Sequence, residues 1–178
     1  MRVRFALVPL VAAAFVIVVT AGCSDSSAPR SILRVESIND NTPLQSDVVS
    51  FVGGQPTVKE DAVTVQIWNQ PHDEILDLYA SPYGAVMLDR YEVRFEGTES
   101  IPSVTGALGW AVDANRIMSG TIVVVPAAHK LRAPLLSLAG SGEIQSTARI
   151  TFYGRETGSD HAVKFETVLQ VNFANWAD

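Results

Sequence analysis

Residues 144–152 read IQSTARITF, and after a polar loop residues 163–173 read VKFETVLQVNF. Both stretches place an apolar side chain at nearly every second position, which is the period of a β-strand that buries one face. We therefore predict an antiparallel hairpin whose buried side carries Ile144, Ala148, Ile150, Phe152, Val163, Phe165, Leu169, Val171 and Phe173.

The same alternation recurs nearer the amino terminus. Residues 63–68 read VTVQIW, which predicts a strand with Val63, Val65 and Ile67 inward and Trp68 outward. Residues 87–96 read MLDRYEVRFE, and the pattern predicts that one side of this strand carries Met87, Tyr91, Val93 and Phe95, with Leu88 on the opposite side. The run 122–125 (IVVV) predicts a strand covered on both faces, and weaker strand candidates lie at 32–38, 48–52 and 107–112.

The order of these runs predicts the fold class. Proline and glycine fall between the runs and mark turns, and only 73–79 has the pattern of a short helix, capped by Asp73. Roughly seven or eight short strands predict an all-β fold, an immunoglobulin-like antiparallel β-sandwich with Greek-key connections. A small β-barrel is the alternative. We expect Trp110 in the core and Trp176 packed against a sheet.

The chain begins with a short basic segment, Arg2 and Arg4, followed by an almost wholly apolar run over 5–21. This arrangement is typical of a secretory signal helix. A transmembrane helix is the alternative, but the run is at the lower length limit for spanning a bilayer, and Pro9 interrupts it.

The apolar run ends in Thr20-Ala21-Gly22-Cys23, a set of small residues before the only cysteine. This junction resembles the lipobox of bacterial lipoproteins, although Thr20 stands where leucine is more usual. The resemblance implies a signal peptide over 1–22, lipidation of Cys23 with acyl chains such as palmitate, a polar tether over 23–30 and one domain over 31–178. Ser24 favours anchoring to the outer membrane, on its periplasmic or cell-surface face, or to the outer face of a single membrane.

Three further segments carry a second resemblance. The C-terminal hairpin is similar to the last hairpin of bacterial immunoglobulin-like domains. Together with SPYG at 81–84, LDRYEVRF at 88–95 and NFANWAD at 172–178, it resembles a group of uncharacterised bacterial secreted lipoproteins. This resemblance implies a fold and a location, and it implies no activity.

Charge and cysteine content restrict the function classes. The chain has a formal charge of −6, and loss of Arg2 and Arg4 with the leader leaves 11 basic and 19 acidic residues, a charge of −8. This balance argues against nucleic-acid binding, which needs clustered Lys and Arg. With one cysteine, no disulfide can form within the chain.

No catalytic, cofactor-binding or metal-binding constellation is found in the sequence. Ser159-Asp160-His161 has the residue types of a catalytic triad, but neighbours in an extended loop cannot form a proton relay. Asp113-Ala114-Asn115 begins like an EF-hand loop, yet Met118 and Val124 stand where glycine and glutamate are needed. A structural calcium ion is an alternative at four oxygen-rich loops, but turn formation explains them more simply: 39–41, 60–61, 73–74 and Asp160.

Because the sequence shows no catalytic, cofactor-binding or metal-binding constellation, we predict a binding or structural role. We expect a non-enzymatic protein-interaction or structural module of the cell envelope, anchored to a membrane by lipid, with an envelope or extracellular protein as partner. Contact would occur through loops such as 155–161 or through an exposed sheet edge. The alternative is a glycan-binding or adhesive surface module, in which Trp68, Tyr79 and Tyr83 stack on sugar rings. For Trp68 we favour a position under the long loop 69–85 over an exposed one.

Overall fold

The computed structural model describes residues 31–52, 55–71 and 84–176. The predicted signal peptide, Cys23, the whole tether, the short helix at 73–79, and Tyr79 and Tyr83 lie outside these residues. In the described part, no helix is long and apolar enough to cross a bilayer.

The described residues form an all-β fold, as the alternation predicts, and they contain ten strands where seven or eight were expected. The elements in chain order are β1 (Ser31–Ile38), β2 (Leu44–Asp47), β3 (Ser50–Val52), β4 (Gln55–Thr57), β5 (Asp61–Pro71), β6 (Val86–Glu96), β7 (Val104–Val112), β8 (Ile117–Val125), α1 (Ala127–Lys130), β9 (Glu143–Glu156) and β10 (Ala162–Ala174).

These strands form two main sheets that pack face to face. Sheet A has the order β1-β5-β8, and sheet B has the order β2-β10-β9-β6-β7. Every pairing in them is antiparallel except that of β2 with β10, which is parallel. The strands β3 and β4 form a separate small hairpin.

The core is built from the inward residues of both sheets. Val63, Val65 and Ile67 are buried on β5, as predicted, and face the buried residues of the β9–β10 hairpin. The rings of Phe152 and Phe165 are directly paired across that hairpin and stack with centroids 5.1 Å apart. Burial of these apolar side chains away from water is the main stabilising contribution to the sandwich.

The side-chain phase predicted for 87–96 is wrong in its first half. Leu88 is buried and Met87 is exposed, because a β-bulge between Leu88 and Arg90 inserts one residue and reverses the alternation. Opposite the bulge stands Gly154, where a Cβ atom would lie only 2.2 Å from the carbonyl oxygen of Met87. Beyond the bulge Tyr91 and Val93 point inward as predicted.

Four other sequence expectations need correction. Trp176 is 39% exposed and does not pack closely on a sheet. Of the weak candidate at 48–52, only residues 50–52 form a strand, β3, because the chain bends at 48–49 after β2 ends at Asp47. Val123 in the apolar run of β8 is half-buried, so that strand is not covered evenly on both faces. The one-turn helix α1 and the 3₁₀ helix Leu135–Ala139 were not predicted, since both are too short to show a helical period.

Two aromatic residues close the side of the sandwich where β7 and β8 approach each other. The ring of Tyr91 lies against Gly106, where an added Cβ would be 2.1 Å from the Tyr91 Cε1 atom. The ring of Trp110 lies against Gly120 in the same manner, with a Cβ at 2.4 Å. Trp110 is therefore half-buried and packed against the core, which supports the core position that was predicted for it.

The two ends of the sandwich hold different buried polar groups. At the Ser31 end, the Ser31 N–H donates to the buried carboxylate of Glu156 at 2.9 Å. At the Lys130 end, Lys130 is 1% exposed and its Nζ atom donates to the Asp47 carbonyl at 2.7 Å and to Asp61 Oδ1 at 2.9 Å. The first bond holds the start of β1 against the end of β9, and the Lys130 bonds hold α1 over the opposite end of the sandwich.

Candidate interaction surfaces

The outer edge of sheet B is strand β7, referred to below as the β7 edge. In the described residues β7 pairs with β6 and with no strand on its other side. Its sequence, VTGALGWAV, contains no charged residue and no proline. The exposed side chains along it are small and uncharged: Thr105, Ala107, Gly109 and Ala111.

The other strand edges carry features that discourage pairing with another chain. Strand β1 presents the exposed pair Arg34 and Glu36, and β2 has only four residues. On β8, the Tyr91 hydroxyl bonds both backbone polar groups of Val123. Charges, short length and covered backbone groups are common ways in which proteins block strand addition. The nine-residue β7 edge has none of these features in the described structure, whereas on β8 the covered residue is Val123.

The outer face of sheet A, referred to below as the sheet A face, is almost uncharged. Its outward positions on β1, β5 and β8 are Ile32, Arg34, Glu36, Ser37, Ala62, Thr64, Gln66, Trp68, Gln70, Ile117, Ser119, Thr121 and Val123. The two charged members, Arg34 and Glu36, form an ion pair with each other. Ile117 is 61% exposed and Ile32 is 48% exposed.

Strand register places three of these residues side by side. Arg34 on β1 pairs with Trp68 on β5, and Trp68 pairs with Ile117 on β8. The guanidinium carbon of Arg34 lies 4.0 Å from the centroid of the Trp68 ring, in a cation–π contact. This row crosses the sheet next to Ser31, where the described chain begins.

Trp68 points outward, as predicted, and is half-buried. Because Arg34 covers a face of its ring, that face is not free to stack on a sugar. Tyr79 and Tyr83 lie outside the described residues, so the grouping of the three aromatic residues stays a prediction. The register that joins Trp68 to Arg34 and Ile117 could not be predicted from sequence, because it depends on which strands pair.

The outer face of sheet B is strongly charged and forms a network of exposed ion pairs. Arg149 bonds Glu96 at 2.6 Å and Glu166 at 3.5 Å, and Lys164 lies 3.2 Å from Glu166. The Arg149 guanidinium lowers the pKa of the Glu96 carboxyl, and the Lys164 ammonium lowers that of Glu166. Arg94 likewise lowers the pKa of Glu92. These exposed pairs contribute little to stability, but they give this face a fixed alternating charge pattern.

The predicted contact loop 155–161 lies at the Ser31 end. Ser159 Oγ donates to Glu156 Oε2, and Arg155 pairs with Asp160 at 3.3 Å. The Ser159 hydroxyl also accepts a bond from the backbone N–H of His161 at 3.3 Å. The three residues with triad chemistry are thus bonded into the turn, with Ser159 directed to a carboxylate and not to the imidazole of His161.

Of the oxygen-rich loops that were considered for calcium, 73–74 lies outside the described residues, and Asp61 and Asp160 have protein partners. Asp61 receives hydrogen bonds from Lys130 and Ser46. Asn39, Asp40 and Asn41 adopt a left-handed turn with φ between 48° and 58°, a conformation that Asn and Asp tolerate well. Among the described residues, no group of three or more His, Cys, Asp or Glu side chains could hold a metal ion.

Three polar side chains outside these surfaces have a shifted pKa or a buried atom without a hydrogen-bond partner. Burial lowers the pKa of His129, with a further contribution from Arg132, and its Nδ1 atom has no hydrogen-bond partner. Burial also raises the pKa of the Tyr91 hydroxyl. Asn69 donates to the carbonyls of Gly84 and Val112, each at 2.9 Å, while its Oδ1 atom stays unpaired.

Comparison of the sequence with models of known protein families and with curated proteins found no match.

Proposed function

We propose that this chain is a lipid-anchored, non-catalytic interaction module of the bacterial cell envelope, and that a partner protein adds a strand to its β7 edge. The observation that carries this proposal is the nine-residue edge strand without charge, proline or covering strand in the described structure. An edge of this kind offers backbone N–H and C=O groups in register to an incoming strand.

The energetics of such an edge suit specific but reversible binding. Roughly every second residue of a strand directs its backbone groups outward, so about half of β7 is available to a partner. Each hydrogen bond formed contributes on the order of 0.5–1.5 kcal/mol net. The small residues Ala107, Gly109 and Ala111 let an incoming strand approach closely. They do not distinguish one partner strand from another by shape, so selectivity would depend on contacts that flank the strand.

The sandwich is assigned to the immunoglobulin-like class as part of this proposal. The order β1-β5-β8 corresponds to strands A, B and E, and the order β10-β9-β6 corresponds to G, F and C. Strand β7 then takes the place of C′, which the variable-type arrangement adds beside C. The β7 edge would therefore be the open edge of the larger sheet.

Anchoring through Cys23 supports the same function. Each buried methylene of a lipid contributes about 0.8 kcal/mol, and two or three acyl chains hold a protein firmly at a bilayer. A partner in the same envelope would then be met at high local concentration. The glycan-binding alternative has less support, because Arg34 covers a face of the Trp68 ring.

A matched pair of substitutions tests the proposal. Ala107→Lys puts a charge on the β7 edge, while Ala162→Lys puts the same charge at an exposed strand position of β10. After crosslinking in living cells, tagged full-length protein is purified and the recovered partner is quantified by mass spectrometry. We expect at least a fivefold loss of partner for A107K and none for A162K. Equal recovery, or the absence of any partner with the unaltered chain, would overturn the proposal.

A further inference from the structure

We infer that the sheet A face lies against the lipid surface, with Ile32, Trp68 and Ile117 in contact with the headgroup region. The inference rests on lipidation of Cys23, which is also part of the proposed function. It adds an orientation of the domain and a second membrane contact that the lipid anchor alone does not require.

The position of Ser31, the first residue of β1, favours this orientation. Ser31 begins β1 on sheet A, and its N–H is held by the buried carboxylate of Glu156. Ser31 is eight positions after Cys23, and a fully extended chain of eight residue steps spans at most about 28 Å. The lipid therefore keeps the Ser31 end close to the bilayer, and the row of Arg34, Trp68 and Ile117 adjoins that end.

The residue types on the sheet A face are those found at membrane interfaces. Tryptophan is enriched at the boundary between lipid and water because its ring is apolar with one polar N–H group. Arginine buries its aliphatic stem and keeps its guanidinium among polar headgroups, where it can bond phosphate. Ile117 and Ile32 are the two most exposed apolar side chains of this face. Together these residues have the character of an interfacial membrane contact.

The two outer faces of the sandwich also differ in how densely they are charged. Bacterial bilayers contain anionic lipids, which repel acidic protein surfaces. Among the described residues, the charges on the sheet A face are Arg34 and Glu36, which form an ion pair, whereas the outer face of sheet B carries a network of both charge signs, in which Glu92, Glu96 and Glu166 pair with Arg94, Arg149 and Lys164. An orientation with sheet A toward the membrane therefore puts the almost uncharged face at the lipid and leaves the densely charged face of sheet B in water.

The orientation has a consequence for the proposed partner. When sheet A lies flat on the bilayer, the strands run parallel to the membrane and the β7 edge points sideways. A strand added to β7 would then come from a protein in the same membrane plane or standing next to it. The charged face of sheet B would point away from the lipid.

Site-directed labelling tests the inference on the full-length lipoprotein. The thiol of Cys23 is blocked by lipid, so a cysteine introduced at Ile117→Cys carries a fluorophore alone. Val168→Cys is the matched control, because Val168 is a 53% exposed apolar residue on the other sheet. Each labelled protein is reconstituted in vesicles of phosphatidylethanolamine and phosphatidylglycerol that contain a nitroxide-headgroup lipid as quencher, after its lipid is verified by intact mass.

We expect the label at 117 to be quenched at least twofold more strongly than the label at 168, and a label at Ile32→Cys to behave like that at 117. Equal quenching at 117 and 168 would overturn the orientation, and so would a chain that carries no lipid on Cys23. Neither label lies on β7, so failure of this test is distinct from failure of the A107K comparison.

Discussion

The hydroxyl of Tyr91 holds both backbone polar groups of Val123. It donates to the Val123 carbonyl oxygen at 3.0 Å and accepts a bond from the Val123 N–H at 3.1 Å. Tyr91 belongs to sheet B and Val123 to sheet A, so one side chain links the two sheets and covers the edge of β8. The outward backbone groups of β8 are in this way occupied at Val123, whereas no described strand pairs with the outer edge of β7.

Removal of this hydroxyl should weaken the domain. Tyr91→Phe leaves the Val123 N–H and carbonyl without their partner, and we expect the free energy of unfolding to fall by about 1–3 kcal/mol. Chemical denaturation measures the change. Tyr153→Phe is the control, since the Tyr153 hydroxyl makes a single 3.3 Å bond to Glu92 at the surface. A loss no larger for Y91F than for Y153F would contradict the role given to Tyr91.

Gly106 should not accept a side chain, because the Tyr91 ring occupies the space of its Cβ atom. Gly106→Ala forces that ring to move, and overpacking of this kind costs about 1–3 kcal/mol. Gly109, on the same strand, has no atom within 4 Å of its Cβ position, so Gly109→Ala should leave stability nearly unchanged. Thermal unfolding of the two variants tests this prediction. Equal unfolding midpoints would show that position 106 accepts a side chain as readily as position 109.

The buried pair at the Lys130 end should be sensitive to loss of one partner. Lys130→Met leaves the Asp61 carboxylate without its cation, and breaking a buried pair in this way typically costs about 3–5 kcal/mol. Lys164→Met removes an exposed lysine whose ion pair contributes little. Denaturant titration should show a large loss for K130M and less than about 1 kcal/mol for K164M. Similar losses would mean that the Lys130 bonds do not stabilise the fold.

His129 should make stability depend on pH. Its pKa is lowered from 6.5 in the folded protein by burial and by Arg132, so the unfolded chain takes up the proton first as pH falls. Any contribution of this group is therefore fully retained above pH 6.5 and lost as pH falls through the lowered pKa. His129→Gln should flatten the stability profile between about pH 7 and 5. An unaltered slope in H129Q would refute this assignment.

Periodicity alone predicted much of the fold. The strands around Val65, Ile150 and Val171 were expected with the correct side inward, because each has an unbroken alternation over several residues. The phase at Met87 and Leu88 was wrong because a bulge is a backbone event that the side-chain pattern does not reveal. Lys130 gave no signal either, since a lysine beside an apolar run is normally solvated.

The candidate surfaces were less predictable than the strands. Trp68 could be placed outward from the alternation of its neighbours, but its contacts with Arg34 and Ile117 depend on pairing between distant segments. The openness of β7 likewise follows from strand order, since its residues would read the same in a central strand. The sequence of β7 shows that it lacks protective charges, and only the topology shows that it is an edge.

The measurement that tests the central claim most directly is photo-crosslinking from the β7 edge in living cells. A photoreactive phenylalanine analogue is introduced in place of Ala107 and, as the control, in place of Ala162 in otherwise unaltered full-length protein. We predict a discrete crosslinked protein from position 107 that is absent from position 162. If position 107 yields no crosslinked protein, or both positions yield the same products, the β7 edge is not the binding surface.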